Sequence, residues 1–221
     1  MILSPPLQDN PQGRAFGPEF RAEFHDLMRW RRDVRRFRTT PVPDETLARC
    51  LTAFRHAPSV GLCEPWRLVW AETPAIRAKI QQNFHAANEQ ALSGYDGDKA
   101  KIYAGLKLAG LQEAPLQFAL FCDQTTEKGA GLGAATMPET RAYSCVSALM
   151  LFWLALRAEG LGLGWVSILD PARLSADFQV DAGWQFIGYF CLGWPEHDDD
   201  TPELERAGWE KRADALISAR R

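Results

Sequence analysis

The stretch Arg29-Trp30-Arg31-Arg32-Asp33-Val34-Arg35-Arg36-Phe37 governs how the rest of the chain is read. Phe20, Phe24, Leu27 and Met28 precede it at helical spacing, so a helix delivers these arginines at its end. The guanidiniums of Arg31, Arg32 and Arg35 offer forked donors that suit a phosphate, and their mutual repulsion makes them costly to crowd together without an anion. Asp33, inside the cluster, is expected to be kept ionised by its arginine neighbours. A basic run of this kind is also the ordinary solvated end of a helix. The surrounding sequence has to decide between the two.

Working outward, Pro43-Asp44-Glu45 starts a helix that carries Leu47, Leu51 and Phe54 on one face. Ala57-Pro58-Ser59-Val60-Gly61-Leu62-Cys63-Glu64-Pro65-Trp66 follows as a loop whose small residues let backbone approach a ligand, although such loops are also plain connectors. Arg67–Ala71 reads as a strand, and a polar helix runs from Pro74 toward Ser93. Gly94-Tyr95-Asp96-Gly97-Asp98 breaks that helix before a further helical piece with Leu106, Leu108 and Leu111, an insertion of the kind that covers a site. Leu116–Cys122 is a second strand, and 125–136 a glycine-rich loop. The longest helix follows Met137-Pro138-Glu139, with Tyr143, Val146, Leu149, Met150, Trp153 and Leu156 spaced for burial. Gly160 stops it, Gly162–Ile168 forms a strand, Asp170-Pro171 caps and opens a helix, and Trp184–Leu192 forms a last strand. The glycines at 162 and 164 leave room for a planar ring system, or mark a tight junction. The irregular alternation favours an α+β fold with a mostly antiparallel sheet flanked by helices. We expect a mobile arm over 1–17, then one domain over 18–221 with a lid at about 93–112.

With 221 residues, 46% hydrophobic and 24% charged, the chain can bury a core as one domain. A net charge of -3 argues against a nucleic-acid partner. The five cysteines are widely spaced without a CxxC pair, and the four histidines (His25, His56, His85, His197) share no metal-ligand spacing, so neither a disulfide framework nor a metal site is expected. No signal-peptide pattern or membrane-length apolar run is present in the sequence, and a cytoplasmic protein is expected. Signatures of nucleotide hydrolysis, Rossmann dinucleotide binding, esterases and zinc proteases are missing from the sequence.

The order of the pieces resembles the nitroreductase family: an RRSxRxF-like opening, a PSxxNxQPWxF-like loop, a long helix before a glycine-rich strand, and a late basic residue after a Gly-aromatic-Pro turn. The resemblance covers nearly the whole chain after residue 20 and implies an α+β homodimer with FMN at the subunit interface. It places Arg31, Arg32, Val34 and Arg35, with Arg212, on the FMN phosphate and ribityl chain. It brings Ser59, Leu62 and Pro65 against the flavin from the second loop, and Gly164, Trp165 and Ile168 from the strand.

Two departures set this chain apart, since Asp33 stands where serine is usual, and Val60-Gly61-Leu62-Cys63-Glu64 lacks the usual Asn and Gln. Together with Tyr103–Leu111, Thr136-Met137-Pro138-Glu139-Thr140, Gly164-Trp165-Val166-Ser167-Ile168 and Pro202-Glu203-Leu204-Glu205, they resemble the branch of the family in which reduced FMN is itself the substrate. There, molecular oxygen drives its fragmentation to 5,6-dimethylbenzimidazole and erythrose 4-phosphate. The resemblance implies catalytic roles for Asp33 and Ser167, and a lid that excludes water and hydride donors. It also implies a separate flavin reductase that supplies reduced FMN. An ordinary NAD(P)H-dependent nitroreductase or flavin reductase, and a non-enzymatic flavin carrier, remain as alternatives.

Overall fold

The computed structural model describes residues 15–105 and 109–220. The arm expected over 1–17 lies almost wholly outside them, as do Leu106 and Leu108 of the expected lid. Four strands form one sheet in the order β1 (Trp66–Trp70), β2 (Leu116–Asp123), β4 (Trp184–Gly193), β3 (Gly162–Val166), every neighbouring pair antiparallel. Successive side chains of a strand point to opposite faces, and both faces here are covered. That is why β2 and β4 read as continuous apolar runs.

On one face Phe118, Leu120, Leu163, Phe190 and Leu192 meet Cys145, Leu149, Phe152 and Leu156 of the long helix α6 (Thr140–Ala158). Helix α2 (Asp44–Leu51) packs there too, through Cys50. On the other face Ala119, Phe121, Val166, Tyr189 and Cys191 meet Ile80 of α3 (Pro74–Leu92), Leu111 of α5 (Gly110–Glu113) and Leu174 of α7 (Pro171–Phe178). Phe152 is fully buried at the centre, and truncating such a ring costs about 3–5 kcal/mol.

Periodicity assigned six residues of α6 to the core, and the structure buries three of them. Leu149, Trp153 and Leu156 face inward, joined by Cys145, Ala148 and Phe152, whereas Tyr143, Val146 and Met150 are exposed, Tyr143 at 58%. The helix is apolar around most of its circumference, so spacing alone could not say which stripe meets the sheet. Helix α1 (Pro18–Trp30) likewise leaves Phe20, Phe24 and Met28 exposed and buries none of its residues. Among the described residues no helix is long and apolar enough to cross a membrane.

Helix α1 ends where the chain turns extended at Arg31 and joins the free edge of β3. Asp33 bridges Leu163 in parallel, the Val34 amide donates to the Leu163 carbonyl at 3.0 Å, and Phe37 bridges Pro195. The arginine segment is thereby an extra, short edge strand. Beyond β1, α4 (Gly97–Gly105) and α5 form the insertion, and α8 (Glu203–Arg206) lies in the C-terminal segment.

Candidate functional site

The edge pairing explains the two glycines of β3. A Cβ at Gly164 would stand 2.1 Å from the Val34 carbonyl oxygen, and one at Gly162 would stand 2.6 Å from Val34 Cγ2. The space was expected to receive a planar ring; the arginine segment itself fills it. What meets these glycines is an extended segment, neither an open gap nor the packed helix of a tight helix-strand junction.

Once seated on that edge, the segment's side chains are fixed one by one. Asp33 Oδ1 accepts the Trp165 amide N–H at 2.7 Å, and Oδ2 stands 3.8 Å from Arg35 Nε. The Arg31 guanidinium lies over the Trp153 ring, 4.9 Å from its centroid, a cation–π contact that holds it above α6. Arg32 turns away: Nε donates to the Asp200 carbonyl at 2.9 Å, with Nη2 on the same oxygen and Nη1 on the Arg31 carbonyl. Arg32 therefore fastens the C-terminal segment while still lining the cleft beside Arg31 and Arg35. That segment returns Arg212 to a cleft of about 180 Å³ lined by Arg31, Arg32, Asp33, Arg35, Glu203 and Arg212. A neighbouring cleft of about 240 Å³ shares Arg32, Asp33, Arg35 and Glu203, and is lined also by Arg36 and His197.

The electrostatics of this cradle are unbalanced. Burial, and then the charge of Arg212, depress the Arg31 guanidinium, with Asp33 opposing; burial, Arg212 and Arg31 depress Arg32. Among the described residues no carboxylate lies within 4.0 Å of Arg31 or Arg212. Such a cluster is relieved by an anion with several acceptor oxygens.

Two opposing influences act on Asp33. Burial pushes its carboxyl above the usual aspartate range, Glu203 adds to this, and the Trp165 amide, Arg35 and Arg31 only partly oppose it. Its side chain still keeps 40% of its surface open to the cleft. The arginines moderate a raised proton affinity, and the group can exchange a proton with whatever fills the cleft.

Ser167 follows β3 two residues after Trp165, exposed, with its carbonyl accepting the Leu169 amide at 3.0 Å; Ile168 is half-buried beside it. Their turn is anchored by Asn83 of α3, which gives Nδ2–H to the Asp170 carbonyl at 3.0 Å and accepts the Asp170 amide at 2.7 Å. Asn83 is 1% exposed and escaped the sequence reading, because one amide within a polar helix gives no signal. The Trp165 ring packs at Gly188 and 5.1 Å from Phe190, so its amide, and not its indole, serves Asp33.

Ser59, Leu62 and Pro65 do not join this cluster. The Ser59 hydroxyl accepts the Glu64 amide at 3.1 Å, the Pro65 carbonyl accepts the Asp123 amide at 2.8 Å, and Leu62 is 67% exposed at φ +56°. Their loop leads into β1, the edge strand opposite β3, with β2 and β4 between. One chain presents the arginine cradle at one edge and this loop at the other. The insertion is also placed: α4 rests its Tyr103 and the preceding Tyr95 on Trp209, three residues before Arg212.

Residues 28–194 match the pattern of the Nitroreductase family. A protein named 5,6-dimethylbenzimidazole synthase from Rhodospirillum rubrum is 50% identical over 200 residues, 90% of this chain and 95% of that protein. One of the same name from Rhodobacter capsulatus is 45% identical over 84% of this chain and 90% of its own length. Among solved structures, oxidised iodotyrosine deiodinase bound to FMN and 3-iodo-L-tyrosine superposes with a TM-score of 0.72 at 19% identity, covering 90% of this chain and 99% of that one, a likeness of fold. The arginine segment on the β3 edge, the sheet order and these relatives agree: the chain belongs to the nitroreductase family.

Proposed function

We propose that the chain binds reduced FMN and, with molecular oxygen, fragments it to 5,6-dimethylbenzimidazole and erythrose 4-phosphate, the step that makes the lower ligand of vitamin B12. The observation that carries the reading is Asp33, held on the Trp165 amide and 3.8 Å from Arg35, in a cleft shared with Arg31 and Arg212, neither of which has a carboxylate within 4.0 Å among the described residues. The relatives named as synthases support the same reaction.

The donor set fits FMN. Arg31, Arg35 and Arg212 hold the phosphate and ribityl chain, with Arg32 locking the segment that brings Arg212, and with the Val34 backbone beside them. Reduced flavin, when bound, supplies the electrons that oxygen takes up. Asp33 takes or returns protons at the cleft, for which its raised proton affinity suits it. Ser167 orients the reacting edge from the end of β3, beside Gly164, Trp165 and Ile168.

The chain works as a homodimer, on this reading, because Ser59, Leu62 and Pro65 stand on the opposite sheet edge and reach the flavin of a second copy. The exposed apolar residues of α1 and α6 support that pairing, since such rows mark association surfaces. The insertion around α4 shuts out water and hydride donors, so a separate flavin reductase supplies reduced FMN. All five cysteines are buried and unbridged, which supports a reducing cytoplasm.

The test is anaerobic loading with chemically reduced FMN, then exposure to oxygen and chromatography of the small molecules. Formation of 5,6-dimethylbenzimidazole is expected. Clean return of oxidised FMN from folded, flavin-bound protein would overturn the reading, and steady NAD(P)H oxidation without added reductase would favour an ordinary nitroreductase.

A further inference from the structure

The C-terminal segment does more than deliver Arg212. Near its start it is fastened by Arg32 on the Asp200 carbonyl, and an internal ion pair, Arg206 Nε 3.0 Å from Asp199, holds its own turns together. Further on, the Trp209 amide donates to the Leu204 carbonyl at 2.9 Å, which ties it to α8, whose Glu203 and Leu204 line the arginine cleft. The Trp209 ring reaches the other way. Tyr95 stands edge-on to it at 5.3 Å, Tyr103 is tilted against it at 6.2 Å, and the two tyrosines lie 4.9 Å apart. The Lys99 ammonium sits 4.5 Å from the ring centroid and donates to the Trp209 carbonyl. Tyr103 is buried, and its hydroxyl donates to Asn88 of α3 at 2.9 Å, so α4 is braced from behind.

We propose that Trp209 is a positioning residue that couples the docking of α4 to the anion held between Arg31 and Arg212. The inference rests on the reading of the cleft as the FMN phosphate site. An anion that draws Arg212 toward Arg31 and Arg32 immobilises the segment three residues from Trp209, and the ring then offers a settled face to Tyr95, Tyr103 and Lys99. By the same linkage a docked α4 holds Arg212 in place, and the two effects are equal in free energy. A flavin without the phosphate leaves Arg212 and Trp209 as they were. The lid therefore closes on the phosphorylated flavin and not on riboflavin, so that oxygen chemistry starts only on the molecule whose sugar phosphate can be released.

Hydrogen exchange of the Gly97–Gly105 amides tests this in the full chain, anaerobically, alone and with reduced FMN or reduced riboflavin, beside equilibrium dialysis of each flavin. Reduced FMN should slow exchange in α4 by about fivefold or more, within the usual range of coupling between sites, and riboflavin should not. Trp209→Ala should lose that slowing and weaken FMN binding by the same factor while leaving riboflavin binding unchanged, and Trp209→Phe should restore both. Tyr95→Leu, at an exposed position, gives the same readout should the alanine variant fold poorly. Equal protection by riboflavin, or FMN-dependent protection that survives both Trp209→Ala and Tyr95→Leu, would overturn the coupling. Reduced FMN that binds the wild type without slowing α4 exchange would also remove the coupling and leave the cleft's reading intact; no binding at all would remove the reading itself.

Discussion

The two edges of the sheet handle their functional residues in opposite ways. At the β3 edge, Arg31, Asp33, Arg35 and Arg212 are gathered from two distant stretches into one cleft, with Asp33 held by the Trp165 amide and the segment pinned by backbone pairing and by glycines that admit no side chain. At the β1 edge, Ser59, Leu62 and Pro65 belong to a loop held by its own Ser59–Glu64 hydrogen bond and by Ser144 of α6, with Leu62 facing outward. Residues that a family motif assigns to one ligand stand here on opposite edges of one sheet, which the sheet order makes visible and the sequence does not.

Mixing subunits tests this contrast with the largest effect. Asp33→Asn alone and Leu62→Asp alone should each lower product yield about 100-fold, the scale of a lost proton-transfer group, while Asp33→Asn keeps its affinity for reduced FMN. If the loop serves the partner's cradle, randomly mixed subunits of the two variants should recover about a quarter of the wild-type yield, because half of the dimers then hold one intact site. Mixtures no better than either parent would place both edges in one chain's site.

Glycine substitutions should separate the edges by stability. Gly164→Ala forces a Cβ against the Val34 backbone and should cost about 3 kcal/mol and displace Asp33. Gly61→Ala, at φ +55° and 2.8 Å from the Leu132 carbonyl, should cost about 1–2 kcal/mol, with the cradle's binding of reduced FMN retained. Denaturant titration beside flavin dialysis would measure both, and equal losses of binding would break the distinction. Arg212→Ala should weaken reduced FMN about tenfold, with riboflavin unaffected and the loss shrinking at high salt.

The smallest effect concerns Asp33 and pH. Its proton affinity is higher folded than unfolded, so its contribution to stability is fully present below the ordinary aspartate pKa of about 3.9 and is lost as pH rises through the raised value. The melting temperature of Asp33→Asn relative to wild type should therefore rise as pH climbs above about 4. A difference that stays flat, or falls, would mean that the arginines outweigh burial after all.

Much of the frame was legible in sequence, for identifiable reasons. Pro74 and Asp170-Pro171 open helices because proline suits a first turn, and Gly160, at φ +79°, ends α6. The clustering of Arg31, Asp33 and Arg35 was visible because those residues are adjacent. What stayed hidden depends on partners far along the chain. Arg32 could not be told from its neighbours until the Asp200 carbonyl was seen to claim it. The glycine gaps at 162 and 164 gave no hint that Val34 fills them. Asn83, an unremarkable residue locally, takes its meaning from the start of α7, and Trp209, which the family resemblance already marks, shows its contact with α4 only in the structure.

The perch of Arg31 on Trp153 has an optical consequence. The chain contains eight tryptophans, and this one has a cationic group 4.9 Å above its ring. A positive charge placed there biases the excited indole, and an anion bound to Arg31 partly cancels that bias. Inorganic phosphate, which neither absorbs nor emits light, should therefore alter the emission of Trp153, and Trp153→Phe should erase that part of the signal. The cradle thus carries its own lamp, readable before any flavin is added.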